Sequence, residues 1–125
     1  MINVSEAQLD KIKRVLGYPA ITVGLDNSQL TDIVFDSFKR VMGYNRSSNH
    51  FDAQEYLDKS LESMHFIDVV VGRAMKLQAN TQLLYLISDI KYGKPLPQSY
   101  AMLLDVLFKQ GDAIETRGLE RLGVC

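Results

Sequence analysis

The residues with the clearest chemical potential are Glu62 and His65, whose Glu-x-x-His spacing places a carboxylate and an imidazole on one face of a helix. Asp58 lies four residues before Glu62 and extends that face. Ferritin-like di-iron bundles use this spacing, but they need a second Glu-x-x-His motif and two further glutamates. The other helical segments lack this set, and the only other histidine, His50, falls in a polar loop. We therefore interpret these residues as a solvated charged face.

Other kinds of active site are equally hard to assemble from this sequence. A zinc site needs three or four ligands from Cys and His, and the chain offers only His50, His65 and Cys125. A catalytic serine needs a general base and a suitable turn around it. The candidates for a nucleophilic serine lie in predicted helices or in the polar loop: Ser47, Ser48, Ser60 and Ser63. The glycines are isolated, unlike those of a phosphate-binding loop. We predict no catalytic residue, no metal, no cofactor and no enzyme activity.

The composition excludes several broad classes. Fourteen basic and fifteen acidic residues leave a net charge of −1, without the basic surplus typical of proteins that bind duplex nucleic acid. The single cysteine cannot form an internal disulfide, which fits a reducing compartment. The densest apolar run, 66–71, is far shorter than the ~20 residues of a membrane helix, and the N-terminus does not read as a secretion signal. We expect a soluble, cytoplasmic protein with no membrane partner.

The first half of the chain predicts two amphipathic helices. Ser5 and Gln8 have the spacing of a capping box at the start of the first, which Gly17 and Pro19 end. The β-branched segment 20–23 is a candidate for a short extended strand whose pairing partner would come from another subunit. The second helix begins near 26–28 and ends at Gly43, and a polar loop, 44–50, follows it.

The second half is dominated by a long helical stretch, 52–92, capped by Asp52 or Asn49 and apolar on two sides. Two stripes follow helical spacing: Leu57, Leu61, Met64, Val71 and Met75; and Ile67, Val70, Ala74, Leu77 and Leu84. A helix that rests on one core needs only one stripe, so this helix must have neighbours on both sides. The neighbours could belong to the same chain or to other chains. We expect a kink or a short break at Asn80 and Thr81, because globular helices of forty residues are rare.

A connector with two prolines, 92–97, precedes a last helix that starts at Ser99 and reaches Gly111 or Arg117. The remaining residues contain two glycines and scattered leucines, which suggests a tail that orders on contact. The prediction is an all-α single domain, 1–125, in which four or five helices surround a long central helix. Its core covers about 5–111, and 112–125 form a flexible assembly tail.

The residues predicted to make contacts between chains follow from this arrangement. Asp68 interrupts an apolar run, so it either faces solvent or pairs with Arg73, Lys76 or a partner chain. The other interface candidates come from the extended segment, the polar loop, the long helix and the tail: Ile21, Val23, Tyr44, Arg46, Val71, Arg117, Leu119 and Leu122.

The first two helical segments of the chain resemble the first two helices of the head–tail connector, or adaptor, proteins of tailed bacteriophages. These segments are "INVSEAQLDKIKRVLGY" and "DNSQLTDIVFDSFKRVMGY", and a long helix follows them. The resemblance covers residues 1–44 and concerns the order of elements rather than a diagnostic motif. It implies a structural virion protein of the phage neck that forms a homo-oligomeric ring beneath the portal. The partners would be the portal and the tail or neck proteins, and nucleic acid would at most pass through the lumen.

A second interpretation belongs to another class. The chain could be a regulatory helical module that inhibits or recruits one protein partner, with the loop 44–50 beside an exposed groove. Such a protein would be a monomer or dimer without a ring. The native mass distinguishes the two interpretations.

Overall fold

The computed structural model describes residues 2–16, 26–42, 52–91 and 98–124. They form five helices: α1 (Glu6–Leu16), α2 (Asn27–Met42), α3 (Ala53–Glu62), α4 (Met64–Lys91) and α5 (Gln98–Arg121). No strand occurs in these ranges, so the predicted all-α bundle of five helices is confirmed. The predicted strand 20–23 and the polar loop 44–50 lie outside the described residues.

Side-chain caps begin the first three helices. The hydroxyl of Ser5 accepts a hydrogen bond from the Gln8 amide at 3.2 Å, and the Gln8 side chain accepts one from the Ser5 amide at 2.8 Å. This confirms the predicted capping box. Asp26 and Gln29 repeat the arrangement at α2, with distances of 2.8 and 3.1 Å. Asp52 accepts a bond from the backbone N–H of the third residue of α3 at 3.2 Å, as expected of an N-cap.

The long helical stretch is broken at Ser63, and the break predicted at Asn80 and Thr81 is wrong. Ser63 has an extended backbone (φ −84°, ψ 124°) and separates α3 from α4. Helix α4 then continues through Thr81, whose hydroxyl donates to the carbonyl of Leu77 at 2.9 Å. This bond satisfies the hydroxyl inside the helix, so a threonine there does not stop it.

Helix α4 is the central element. It contacts α1, α2 and α3, and its contact with α5 is by far the most extensive. Members of both apolar stripes are buried within this one chain: Leu57, Leu61, Val71 and Met75 from the first, and Ile67, Val70 and Ala74 from the second. Among the stripe residues whose side chains the structure describes, a set without Leu84, Met64 and Leu77 are the exceptions, with 52% and 40% of their surfaces exposed. The neighbours that the two stripes require are therefore mostly other helices of the same chain.

Helix α5 continues to Arg121, well beyond Gly111. Glu115 and Leu119 are buried against the rest of the bundle, so the predicted boundary of the core at 111 is corrected to include them. The glycine that ends this helix is Gly123, which has φ +74° and lies within a C-terminal turn closed by a bond of 3.0 Å from the Val124 amide to the Leu119 carbonyl. Gly111 lies inside α5, where it contacts α4.

Candidate protein interface

Glycines allow the backbones of α4 and α5 to approach each other closely. A Cβ atom at Gly72 would lie 2.4 Å from the carbonyl oxygen of Gly111, and one at Gly111 would lie 2.8 Å from that of Gly72. A Cβ at Gly118 would lie 2.6 Å from the carbonyl oxygen of His65. All three approaches involve backbone, which cannot rotate away. The two helices can pack this closely only because these side chains are absent.

The spacing of these glycines gives α5 its packed face. Gly111 and Gly118 are seven residues apart, which is close to two helical turns, so they lie on the same side of α5. Gly118 lies near His65 at the start of α4, and Gly111 lies near Gly72, about two turns further along α4. The two helices therefore run antiparallel. One side of α5 is thereby committed to the fold of its own chain.

Beside the glycines, a buried carboxylate binds two cations of α4. Glu115 is only 5% exposed. Its two carboxylate oxygens lie 3.3 Å from Nη1 of Arg73 and 2.5 Å from Nζ of Lys76. Lys76 also lies 3.1 Å from Asp112, and its ammonium group is 5.8 Å from the centroid of the Phe108 ring. A buried carboxylate needs such partners because an uncompensated charge in the interior is costly.

These contacts change the proton affinity of Lys76. Burial, the largest single effect, lowers the pKa of Lys76, because it disfavours the charged form. The hydrogen bonds to Glu115 and Asp112, together with their negative charges, outweigh it. The net result is a pKa raised above the usual 10.5, so Lys76 is fully charged at neutral pH.

An open cavity of about 480 Å³ lies next to this ion cluster, between α2, α4 and α5. Its charged lining is balanced, with three acidic and three basic side chains: Asp36, Asp112, Glu115, Arg40, Arg73 and Lys76. Because Arg73 and Lys76 are already bound to carboxylates, their main effect is to fix the register of α4 against α5. The cavity does not concentrate charge of one sign, as an anion or cation site would.

The opposite side of α5 presents apolar side chains to solvent. Met102, Leu103 and Val106 are 69%, 64% and 49% exposed, whereas Leu104 between them is buried at 6%. We call these three residues the α5 patch. Met102 and Val106 lie two residues to either side of Leu104 and therefore point away from it. Clustered apolar side chains with a polar rim are typical of protein interaction surfaces, and here the rim includes Asp105 and Lys109, paired at 2.9 Å.

The structure redistributes the predicted interface residues. Val71 and Leu119 are 5% and 3% exposed and lie inside the chain's own bundle, so they are corrected from interface to core. Leu122 is half-buried and packs against the same core, and Arg117 is exposed. Four candidates lie outside the described residues: Ile21, Val23, Tyr44 and Arg46.

Asp68 takes neither of its predicted partners within the chain. It is half-buried at the α4–α5 contact, where a Cβ on Gly118 would lie 3.2 Å from its own Cβ. Arg73 and Lys76 turn to Glu115 instead. Sequence reasoning missed Glu115. The available signal was a pair of bases three residues apart on one helix and a pair of acids, Asp112 and Glu115, three residues apart on the next.

The Glu-x-x-His motif is divided by the helix break. Because Ser63 is extended, Glu62 ends α3 while His65 belongs to α4, and the two do not share one helical face. Asp58 accepts hydrogen bonds from the side-chain amides of Gln8 and Gln54 at 3.0 and 2.9 Å. Among the described residues, no group of three His, Cys, Asp or Glu side chains is placed to hold a metal ion. No helix in these ranges has an apolar stretch long enough to cross a bilayer.

Comparisons of this chain with protein-family models, curated protein sequences and solved structures find no match.

Proposed function

We propose that this protein is a structural, non-enzymatic subunit that assembles with further copies of itself through the α5 patch. The single observation that carries the proposal is the exposure of Met102, Leu103 and Val106 on a helix whose other side is tightly packed. Removing apolar surface from water is favourable at roughly 25 cal/mol per Å². A patch of three adjacent side chains therefore favours contact with a second protein surface.

The form of assembly that we propose is the ring of a phage head–tail connector, placed beneath the portal in the neck of a virion. The resemblance of residues 1–44 to that family supports this form. The capped helices α1 and α2 come before the long central α4, as the resemblance implies, although the short helix α3 lies between them. The proposed partners are the portal and the tail or neck proteins, with nucleic acid at most passing through the lumen.

We propose the α5 patch, and not the segment 112–125, as the contact between copies. The segment 112–121 belongs to α5, and Glu115 and Leu119 within it are buried. Truncation at 115 would therefore remove core residues and would damage the fold as well as any assembly. The α5 patch can be changed with much less disturbance, because its side chains are already in contact with water.

Sedimentation velocity across a range of protein concentrations tests the proposal. We expect the wild-type chain, 14.1 kDa as a monomer, to sediment as a larger species that becomes more populated as concentration rises or when a portal ring is added. The triple variant Met102→Ser, Leu103→Ser, Val106→Ser should remain a monomer. Gln110→Ala, an exposed change one turn from Val106, is the matched control and should assemble as wild type does.

Two results would contradict the proposal. A wild-type chain that is monomeric at every concentration and ignores the portal would favour a regulatory module with a single protein partner. A triple variant that assembles as well as wild type would show that the α5 patch is not the contact.

A further inference from the structure

A second exposed face lies on α3. Its residue types follow the same order as Asp105, Val106 and Lys109 at the α5 patch. Glu55 and Lys59 are four residues apart and form an exposed ion pair at 3.1 Å. Tyr56, which follows Glu55, is 47% exposed. We call Glu55, Tyr56 and Lys59 the α3 face.

The two helices carry five-residue segments of the same pattern at every position except the fourth. Helix α3 has Glu-Tyr-Leu-Asp-Lys at 55–59, and α5 has Asp-Val-Leu-Phe-Lys at 105–109. Each begins with an acid, continues with an exposed apolar residue and ends with a lysine that pairs with the acid one turn before it. The side chains of all four charged residues are more than half exposed, so they are accessible to a partner.

This pattern is complementary only when the helices run in opposite directions. In an antiparallel pair, the acid at the start of one segment faces the lysine at the end of the other. Glu55 then lies opposite Lys109 of another copy, and Lys59 lies opposite its Asp105. A parallel pair would place like charges together, which is unfavourable.

The apolar residues fall on the correct side in the same arrangement. Tyr56 and Val106 each follow the acid by one position, so each lies about 100° around its helix from that acid in the same sense. In an antiparallel pair, equivalent flanks of the two helices face each other. The charges therefore meet on one flank, and Tyr56 meets Val106 on the other.

We propose that the α3 face of one copy of this chain packs antiparallel against the α5 patch of the next copy. This inference rests on the proposed function, self-assembly through the α5 patch, and names the surface that covers it. The contact joins two different surfaces. A pair of subunits therefore keeps a free α3 face at one end and a free α5 patch at the other, and each can bind a further copy. Such a head-to-tail contact produces a ring when its rotation closes. An α5-to-α5 contact would instead stop at a dimer and leave the α3 face uncovered.

Charge exchange across the contact tests this arrangement with sedimentation equilibrium of the full chain. Lys59→Glu places an acid opposite Asp105 of the next copy. Asp105→Lys places a base opposite Lys59 of the next copy. Each single variant should weaken self-association about five- to tenfold. The double variant Lys59→Glu, Asp105→Lys should recover at least wild-type association, because two acids on one copy then face two lysines on the next.

The control is Asp10→Lys, a reversal at an exposed site on α1 that should leave association unchanged. Thermal unfolding of each variant at low concentration, followed by circular dichroism, should match wild type within a few degrees and show that the variants fold. Rescue by the double variant supports the proposal, since neither change repairs the other within one chain.

Three outcomes would overturn it. If Lys59→Glu is neutral while Asp105→Lys weakens association, α5 pairs with α5, and self-assembly itself survives. If wild type assembles and both single variants weaken association but the double variant is not rescued, the two residues do not face each other. If wild type does not self-associate, the proposed function fails together with this contact.

Discussion

The two halves of helix α5 differ in what covers them. From Gly111 to Leu119, the helix lies against α4 at backbone distance, and its one buried acid is bound by two cations. From Met102 to Val106, only Leu104 is buried, and its apolar neighbours face water. One continuous helix therefore supplies both the tightest packing and the most exposed apolar surface among the described residues.

The difference shows that apolar content alone does not mark the core of this protein. The packed half of α5 is built from two glycines, a glutamate and a leucine, whereas the exposed half is rich in large apolar residues. Close helix packing needs small residues and satisfied charges, because large side chains would hold the backbones apart. The exposed apolar side chains of the first half, Met102, Leu103 and Val106, are surplus to this fold, which is why we assign them to assembly.

The largest effect on the packed half should come from Gly72→Ala. The new Cβ would lie 2.4 Å from the Gly111 carbonyl oxygen and 2.6 Å from the Glu115 amide, so the helices must separate. We expect a loss of about 3 kcal/mol in the free energy of unfolding, although alanine favours an isolated helix by about 1 kcal/mol. Urea denaturation measures this, with Gln110→Ala as a control that stays near wild type. A Gly72→Ala protein of unchanged stability would show that α4 and α5 are not in backbone contact.

Glu115→Ala should have the next largest effect. It leaves Arg73 and Lys76 without their buried carboxylate. Because both cations keep some access to water, we expect about 2 kcal/mol rather than the larger cost of a fully buried pair. Glu120→Ala, an exposed change on the same helix, should cost less than about 0.5 kcal/mol. Equal losses in the two variants would remove the special role given to Glu115.

The dependence of stability on pH tests the role of Lys76 in the packed half of α5. The expected effect is smaller than that of Glu115→Ala. The pKa of Lys76 is raised by its acidic partners, so its contribution to stability is complete below the unfolded value of 10.5. That contribution falls as pH rises above 10.5 and is lost once pH passes the folded pKa. Lys76→Arg keeps a cation that does not titrate there. Above pH 10.5 the variant should therefore lose less stability than wild type, as measured by denaturant unfolding at a series of pH values. Parallel curves would contradict this.

The smallest effect on stability is expected at the α5 patch. Met102→Ser, Leu103→Ser and Val106→Ser together should change the free energy of unfolding of the monomer by less than about 1 kcal/mol, because exposed positions contribute little to the core. Unfolding at a concentration too low for assembly gives this value. A loss comparable to that of Gly72→Ala would show that these residues are part of the core.

The sequence predicted the parts of the fold that depend on local chemistry. The capping box at Ser5 and the two-sided apolar pattern of α4 are confirmed, because caps and periodicity act within a few residues. The break at Ser63 was missed, since neither glycine nor proline marks it. Gly111 was one of two predicted ends of the last helix, with Arg117, because a glycine that permits close packing looks the same as one that ends a helix until its neighbour is known.

The candidate site was less predictable for the same reason. Val71 and Leu119 were assigned to the interface, yet the chain's own helices cover them. The helical pattern does not distinguish Leu103 from Leu104, and the structure exposes the first and buries the second. Adjacent leucines on a helix give no local signal for which one faces inward. That choice is made by the register of Gly111 and Glu115 against α4, a contact between residues some forty positions apart.

The central claim is that one half of α5 belongs to the fold and the other half to assembly. Amide hydrogen exchange followed by mass spectrometry tests it most directly, at one protein concentration well below and one well above the onset of association. We predict that residues 111–119 are equally protected at both, while peptides from 101–108 and 53–62 gain protection only at the higher concentration. If the protection of 101–108 does not change with concentration while the native mass rises, the assembly contact lies elsewhere and the account is contradicted.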